Sequence, residues 1–403
     1  MMFDSNILHK EIKSEHFYHV LFFALWASSL LGCLQGVFLH IPWFGSFRDE
    51  FFVILFFVLI ICSLPYISRN LNLIFFVLYI CVIISYQMCF SLFPHNDLYL
   101  QKEGFRFLCT ALPFLFLGLI FINSEKNMCI LDKIAILSIC ISFLYNVVLE
   151  KSGIENSVTE NMVAAYNLLP QCLVVLIHFL YKKNIFDVIA FVGGMLILLG
   201  FGTRGVLVAV AFFGVLLLIY FFMKKKKKLA FSILMLVGLI VMVINLFINQ
   251  IMNLIVKAGL STRIFESLIY AEKVESSGRD VIYDKVWNGV DFLQMHGFAG
   301  DRFLLGGTYS HNLFLEMWYS FGLFGGTLIL LSIFAVIIAA LYYSEKRDAY
   351  FLIVLISFVF GQLMFSGSFL HQGWLYFLIG YSINIVVKSR KKIQYNYGGD
   401  SIK

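Results

Sequence analysis

Three places in this chain set a side chain able to do chemistry among apolar neighbours. The first is Arg204 in Gly200-Phe-Gly-Thr-Arg-Gly205, which interrupts a stretch, 185–223, that is otherwise apolar for nearly its whole length. Glycines there permit a tight turn and close backbone approach. A helix starting at this turn puts Arg204 beside free N–H groups and a partial positive charge. A cation is unfavourable there unless an anion joins it, so the position reads as an anion site in preference to an arginine snorkelling to head groups. Arg279 repeats the pattern in the first turn of a helix expected to run on through Ile282, Val286, Val290 and Leu293. Pairing with Asp280 or Glu275 would give only about 0–1 kcal/mol and explains the position poorly. Arg263 and Arg302 could add to the same basic patch. The third place is His311, in Tyr-Ser-His-Asn-Leu-Phe-Leu-Glu. An imidazole titrates near neutrality and can act as general base or acid. Asn312 beside it offers both a donor and an acceptor, whereas Glu316, five residues on, is off the same helix face. His296, His371 and the remaining histidines read as structural.

The elements that must position these residues are membrane helices. Hydrophobic residues make up 61% of the 403 and charged residues 13%, about half the charge of a soluble domain, and the mean hydropathy is +0.88. About 20 apolar residues of helix cross the hydrocarbon core, which gives spans near 17–39, 51–67, 71–93, 105–122, 128–149, 163–181, 185–202, 205–223, 229–249, 321–342, 349–366 and 370–387. The fold class is all-α: a polytopic membrane protein of about twelve helices. The first span reads as a retained signal-anchor.

Basic residues orient it. With both termini inside, the inner segments hold 19 of the 30 Lys and Arg, among them Lys126, Lys133, Lys182, Lys183, Lys224 to Lys228, Lys346 and Arg347. The outer segments hold the rest although they are longer, so the termini are expected to be cytoplasmic. Lys224–Lys228 reads as a stop-transfer anchor on anionic membrane lipids. The net charge of +6 follows from the same bias and is no sign of nucleic acid. The eight cysteines lie in or at the ends of expected spans, with no CxxC pair and no metal-ligand spacing.

Three regions follow: 1–249 with helices 1–9, a large periplasmic loop over 250–320, and 321–403 with helices 10–12 and a basic cytoplasmic tail. A loop of that length is uncommon without a use. Ser277 with Asp280 resembles a capping box for its first helix, Gly297 and Gly300 break the pattern, and Ser310 is the expected N-cap of a second helix over 311–321.

With those residues in view the sequence resembles the bacterial O-antigen polymerase and O-antigen ligase superfamily. Gly202-Thr-Arg-Gly205 looks like the arginine-bearing turn of that superfamily. Ser277-Gly-Arg-Asp280 with Trp287 looks like the segment in its large periplasmic loop, and His311-Asn312-Leu-Phe-Leu-Glu316 with Phe321-Gly-Leu-Phe-Gly-Gly326 looks like the segment entering its next span. The resemblance runs from about residue 185 to 345; the first half of the chain agrees only in hydropathy. It implies a helical-bundle glycosyltransferase in the bacterial inner membrane that acts on undecaprenyl-diphosphate-linked oligosaccharide without metal or other cofactor. Arginines of the type of Arg204 and Arg279 would hold the diphosphate and a histidine of the type of His311 would assist the acceptor hydroxyl. Arg302, Arg263, Asn312 and Glu316 are the expected substrate-binding residues, and a chain-length regulator is a candidate partner. Gly205 and the HNLFLE form favour a polymerase. The alternatives are a ligase transferring glycan to lipid A-core and, in another class, a polysaccharide flippase. One departure is that Tyr309-Ser310 stands where some ligases carry a second histidine. The sparse charge of the spans and the lack of paired halves argue against transport.

Overall fold

The computed structural model describes residues 73–152, 158–226 and 278–398, with isolated positions between 54 and 61 and at 228, 231 and 250. The described residues form helices and no strand. In chain order these are α1 Leu73–Leu92, a 3₁₀ turn Pro94–Asn96, α2 Asp97–Phe105, a π-helical turn Arg106–Ala111, α3 Phe114–Ile120, α4 Glu125–Ser152, α5 Val158–Lys182, α6 Ile185–Gly200 and α7 Arg204–Met223. After the described chain resumes come α8 Arg279–Asn288, α9 Gly300–Leu304, α10 Leu313–Tyr343, α11 Lys346–Leu363 and α12 Gly373–Gly398. Among the described residues six segments are long and apolar enough to cross a membrane: 73–92, 94–120, 125–145, 161–182, 204–223 and 313–343. The expected spans at 17–39, 51–67 and 229–249 lie outside the described residues apart from those isolated positions, as do Arg263 and Ser277.

Helix α11 is the axis of the bundle. From Ala349 to Gly361 every residue is buried, as expected of a helix that is apolar all round. Its neighbours reach it through small residues, because in lipid close packing replaces the hydrophobic drive. A Cβ on Gly361 would stand 2.3 Å from the Cβ of Ala209 on α7. Helices α3 and α12 touch backbone to backbone at Gly118 and Gly380, whose added Cβ atoms would meet the carbonyls of Phe377 at 2.2 Å and Leu115 at 2.1 Å. Much of α1 is exposed, including Leu73, Ile74 and Met88: apolar surface suited to lipid.

Contacts define two ends. At one, Lys182 pairs with Glu125, Lys346 lies over the Tyr181 ring at 5.5 Å, and Asn384 Nδ2 donates to the Phe121 carbonyl at 2.7 Å. The loop after residue 278 packs on the other. There Asn96 Nδ2 donates to the His296 carbonyl at 2.7 Å, Gly205 abuts Tyr166, and Tyr309 Oη donates to the Ser366 carbonyl at 2.8 Å.

Within the loop, α8 buries Val286 against Leu315 and Tyr319, with Ile282 and Val290 packed alongside, while Leu293 is exposed. The expected apolar face thus stops at Val290 and rests on the bundle. Gly278, at φ 73°, precedes α8, and the expected capping box rests on Ser277, outside the described residues. One helix start differs from expectation. Asn312, not Ser310, caps α10: its Oδ1 accepts from the N–H groups of Phe314 at 3.0 Å and Leu315 at 3.3 Å. Ser310 is two residues too early because His311 takes left-handed backbone, φ 53°. Helix α10 also breaks at Gly322 (φ 72°, ψ 160°), where Leu323 and Phe324 N–H groups donate to the carbonyls of Asp291 and Phe292. The chain from 313 to 321 is thereby set off from the long span that follows.

Candidate functional site: an arginine, histidine and tyrosine cluster

The loop is fastened by a buried ionic knot. Arg302 and Glu316 are 1% and 0% exposed. One Arg302 nitrogen, Nη1, donates to Asp301 Oδ1 and Glu316 Oε1, each at 2.6 Å, and Nη2 donates to Ser368 Oγ at 2.5 Å. Glu316 Oε2 accepts from the Phe369 N–H at 3.0 Å. The other oxygen of Asp301 accepts from the Ser310 N–H at 2.9 Å. These bonds join the 300s loop, the start of α10 and the turn before α12. Removing either partner would strand a buried charge, so the knot is obligatory once formed. Arg302 and Glu316, expected to bind substrate, have most of their hydrogen-bonding groups turned on each other and on the protein, with Arg302 Nε left without a hydrogen-bond partner.

The knot positions His311. On its N-terminal side Ser310 is held by Asp301, and on its C-terminal side Asn312 is held as the cap of α10. Between them His311 keeps a left-handed backbone that costs a non-glycine residue of order 1–3 kcal/mol and persists only where its surroundings impose it. Tyr309 lies 4.2 Å from the His311 ring, centroid to centroid, and 5.3 Å from the Arg302 guanidinium. Nδ1 of His311 is buried with no hydrogen-bond partner. Burial and then the charge of Arg279 hold the imidazole below its usual 6.5, against the opposing pull of Asp301. The charged form of His311 is thus disfavoured, although a hydrogen bond to the Ser366 backbone also opposes the shift.

Arg279 acts electrostatically on both His311 and Tyr166 of α5. Arg204 enters the same neighbourhood through its own backbone. Gly202, at φ 69°, turns the chain; Arg204 opens α7 with no side-chain cap at Thr203; and a Cβ on the next residue, Gly205, would stand 2.2 Å from Tyr166 Oη. Nε of Arg204 is buried without a partner. Of the residues singled out from sequence, Arg279 acts on both His311 and Tyr166, the turn bearing Arg204 packs on Tyr166, Asn312 caps the helix next to His311, Arg302 and Glu316 form the knot, and Arg263 lies outside the described residues.

Four further residues were not singled out. Tyr166 is the side chain on which Arg279 and Gly205 converge. Glu103 pairs with His371 and lies 3.9 Å from Arg302 Nε; the His371 ring lies 6.1 Å from Tyr309. Arg106 acts on Glu103, His371 and Tyr309. Glu103 and Arg106 lie three residues apart at the head of the apolar run near 105–122, which was a readable signal. The π-helical turn that begins at Arg106 is of a kind often found at functional sites. His296 is structural: it stacks on Tyr319 at 4.1 Å.

What the cluster can do follows from its parts. Two arginines can take up the charge of an oxyanion-rich group, and a neutral imidazole beside them can accept a proton. Comparison with known proteins finds no matching family model, no matching characterised protein and no matching solved structure.

Proposed function

We propose that this chain is a glycosyltransferase of the O-antigen polymerase kind, joining undecaprenyl-diphosphate-linked repeat units on the periplasmic face of the bacterial inner membrane. The observation that carries the reading is that Arg279 acts on both His311 and Tyr166, and that the turn bearing Arg204 packs on Tyr166 through Gly205, though these residues come from separate parts of the chain. The inside bias of Lys and Arg supports assigning this end to the periplasm.

In this reading Arg204 and Arg279 grip the donor diphosphate with planar guanidinium forks. They stabilise the charge that grows on undecaprenyl diphosphate as the bond from the anomeric carbon to the diphosphate oxygen breaks. An acceptor sugar hydroxyl forms the new bond to that carbon, and His311 takes its proton. Asn312 holds His311 in place through the helix cap, and its Oδ1 is already engaged there. The transfer needs no metal step, because the two guanidiniums supply the neutralisation.

The test is donor binding and turnover measured side by side in nanodiscs. His311→Ala is expected to lose turnover by about 100- to 10,000-fold while binding the lipid-linked donor nearly as before. Arg204→Lys and Arg279→Lys keep charge but lose the fork, and are expected to lose turnover with normal membrane insertion. Near-normal turnover in His311→Ala would refute the base assignment. Polymerase and ligase separate in a deletion strain: loss of a polymerase leaves lipid A-core bearing one repeat unit, and loss of a ligase leaves it bare.

A further inference from the structure

A second constellation lies at the opposite end of the bundle, independent of the arginine and histidine cluster. Asp132 in the second turn of α4, His178 near the end of α5 and Asp187 in the first turn of α6 bring one potential ligand atom each within 4.8 Å of one another. His178 Nδ1 is 2.8 Å from Asp187 Oδ2 and 3.2 Å from Asp132 Oδ2. All three side chains are buried, with relative exposures of 8% for His178, 6% for Asp132 and 0% for Asp187.

Charge and hydrogen bonding both leave this group incomplete. Two carboxylates face one ring nitrogen, which carries at most one proton. Even a fully protonated imidazole leaves the group with a net negative charge, and burying that charge unpaired is costly. The nearby lysine does not answer it, since Lys182 is engaged with Glu125. Asp132, aimed at the same nitrogen, keeps Oδ1 buried with no partner, and His178 Nε2 is buried with none. Asp187 is held in place from behind: Asn184 Nδ2 donates to its Oδ1 at 2.8 Å, while Asn184 Oδ1 caps α6 by accepting from the Phe186 N–H. A tight turn through Lys183, at φ 60°, sets α5 and α6 side by side. Such an outer partner orients a ligating carboxylate.

We propose that Asp132, His178 and Asp187 bind a divalent transition-metal ion of the Zn²⁺ type. Imidazole and carboxylates suit such an ion, and tetrahedral bonds of about 2.0–2.2 Å place its ligand atoms roughly 3.3–3.6 Å apart. The two distances from His178 Nδ1, 2.8 and 3.2 Å, reach that range with an outward shift of about half an ångström or less. The ion takes the place of the shared proton, cancels the excess negative charge and joins three helices at one end of the bundle. The ligands are 46 and 9 residues apart, so no sequence spacing marks them.

The experiment uses full-length protein in nanodiscs, stripped with chelator and then titrated with Zn²⁺ against a chromophoric competitor, with Co²⁺ absorption to read the donor set. Wild type is expected to bind one equivalent whose Co²⁺ spectrum lacks thiolate charge transfer, and to gain thermal stability on binding. His178→Gln is expected to weaken that binding by more than about 100-fold, and Glu125→Gln, at the rim, to leave it unchanged. Asp132→Asn keeps the His178–Asp187 hydrogen bond and so guards against loss of fold; it is expected to lower affinity at least about 10-fold. Wild type binding no better than His178→Gln, or Asp132→Asn binding as well as wild type, would overturn the proposal and leave a hydrogen-bonded triad.

Discussion

Gly205→Ala tests the seat of Arg204 with a single methyl group. The added Cβ would lie 2.2 Å from Tyr166 Oη and 3.0 Å from Phe365 Cβ. Ordinary contact begins near 3.5 Å, so the methyl intrudes on the hydroxyl by more than about 1 Å. Tyr166 is 5% exposed and its ring has nowhere to swing, so α7 must shift relative to α5. Overpacking of this kind costs about 1–3 kcal/mol. The larger consequence is functional. Arg204 is the adjacent residue and moves with the backbone, and a misplacement of about 1 Å in a positioning group can cost about 100-fold in rate. Turnover and thermal stability would be measured in nanodiscs for Gly205→Ala, Tyr166→Phe and the double variant. Deleting the hydroxyl makes room for the methyl, so the double variant is expected to recover activity beyond the additive value, by a coupling of about 1 kcal/mol or more. Gly205→Ala with turnover within about twofold of wild type and unchanged stability, or strictly additive effects, would refute the reasoning.

The electrostatic reading of His311 predicts the direction of a pH shift. Burial and Arg279 hold its imidazole low, so the base form persists into mildly acid solution and turnover falls only as pH drops through that depressed value. Arg279→Gln removes one cause, so the acid limb of residual kcat/KM should move to higher pH; an unmoved limb would mean that another group titrates. For the knot, Arg302→Leu strands the carboxylates of Asp301 and Glu316 and should cost about 3–5 kcal/mol, read as a fall in folded yield and thermal stability. Adding Glu316→Gln should restore part of that loss, and a stable single variant would show that the knot is not needed. The proposed orientation predicts that a reporter active only in the periplasm gives signal when fused near residue 275 and none near residue 226; the reverse pattern would move the arginine cluster to the cytoplasm.

Sequence carried the helical architecture well, and the ends of its elements less well. Apolar runs near 71–93, 128–149, 163–181 and 205–223 are helices within a few residues of where hydropathy puts them, because length and apolarity alone govern such segments. The stretch near 105–122 was legible only as a span. Its division into α2, a π-helical turn and α3 depends on Pro113 and on contacts with α12, which periodicity does not record. Ser310 looked like a cap and is not one, since Asp301 claims its N–H and forces the left-handed turn at His311. Arg302 and Glu316 were expected to bind substrate. That they face each other in the interior is set by Ser368 and Phe369, more than fifty residues from Glu316, and no local pattern encodes it.

The same knot explains why a loop can hold reactive groups so far apart in sequence. Loops on membrane bundles are ordinarily mobile, and a base free to wander over the surface would lose the advantage of proximity. Here the ordering is supplied from below, by one arginine with hydrogen-bonding partners in its own loop, in α10 and before α12. Asp301 spends one oxygen on that arginine and the other on the backbone entering His311, so ion pairing and imidazole placement share a residue. Asn312 then converts the strained exit from His311 into the start of α10. The consequence is directional: weakening the knot should release His311, whereas replacing the His311 side chain should leave the knot whole. Arg302 is thus a positioning residue for the imidazole, and its variants should lose loop order along with activity, while His311→Ala should lose activity alone.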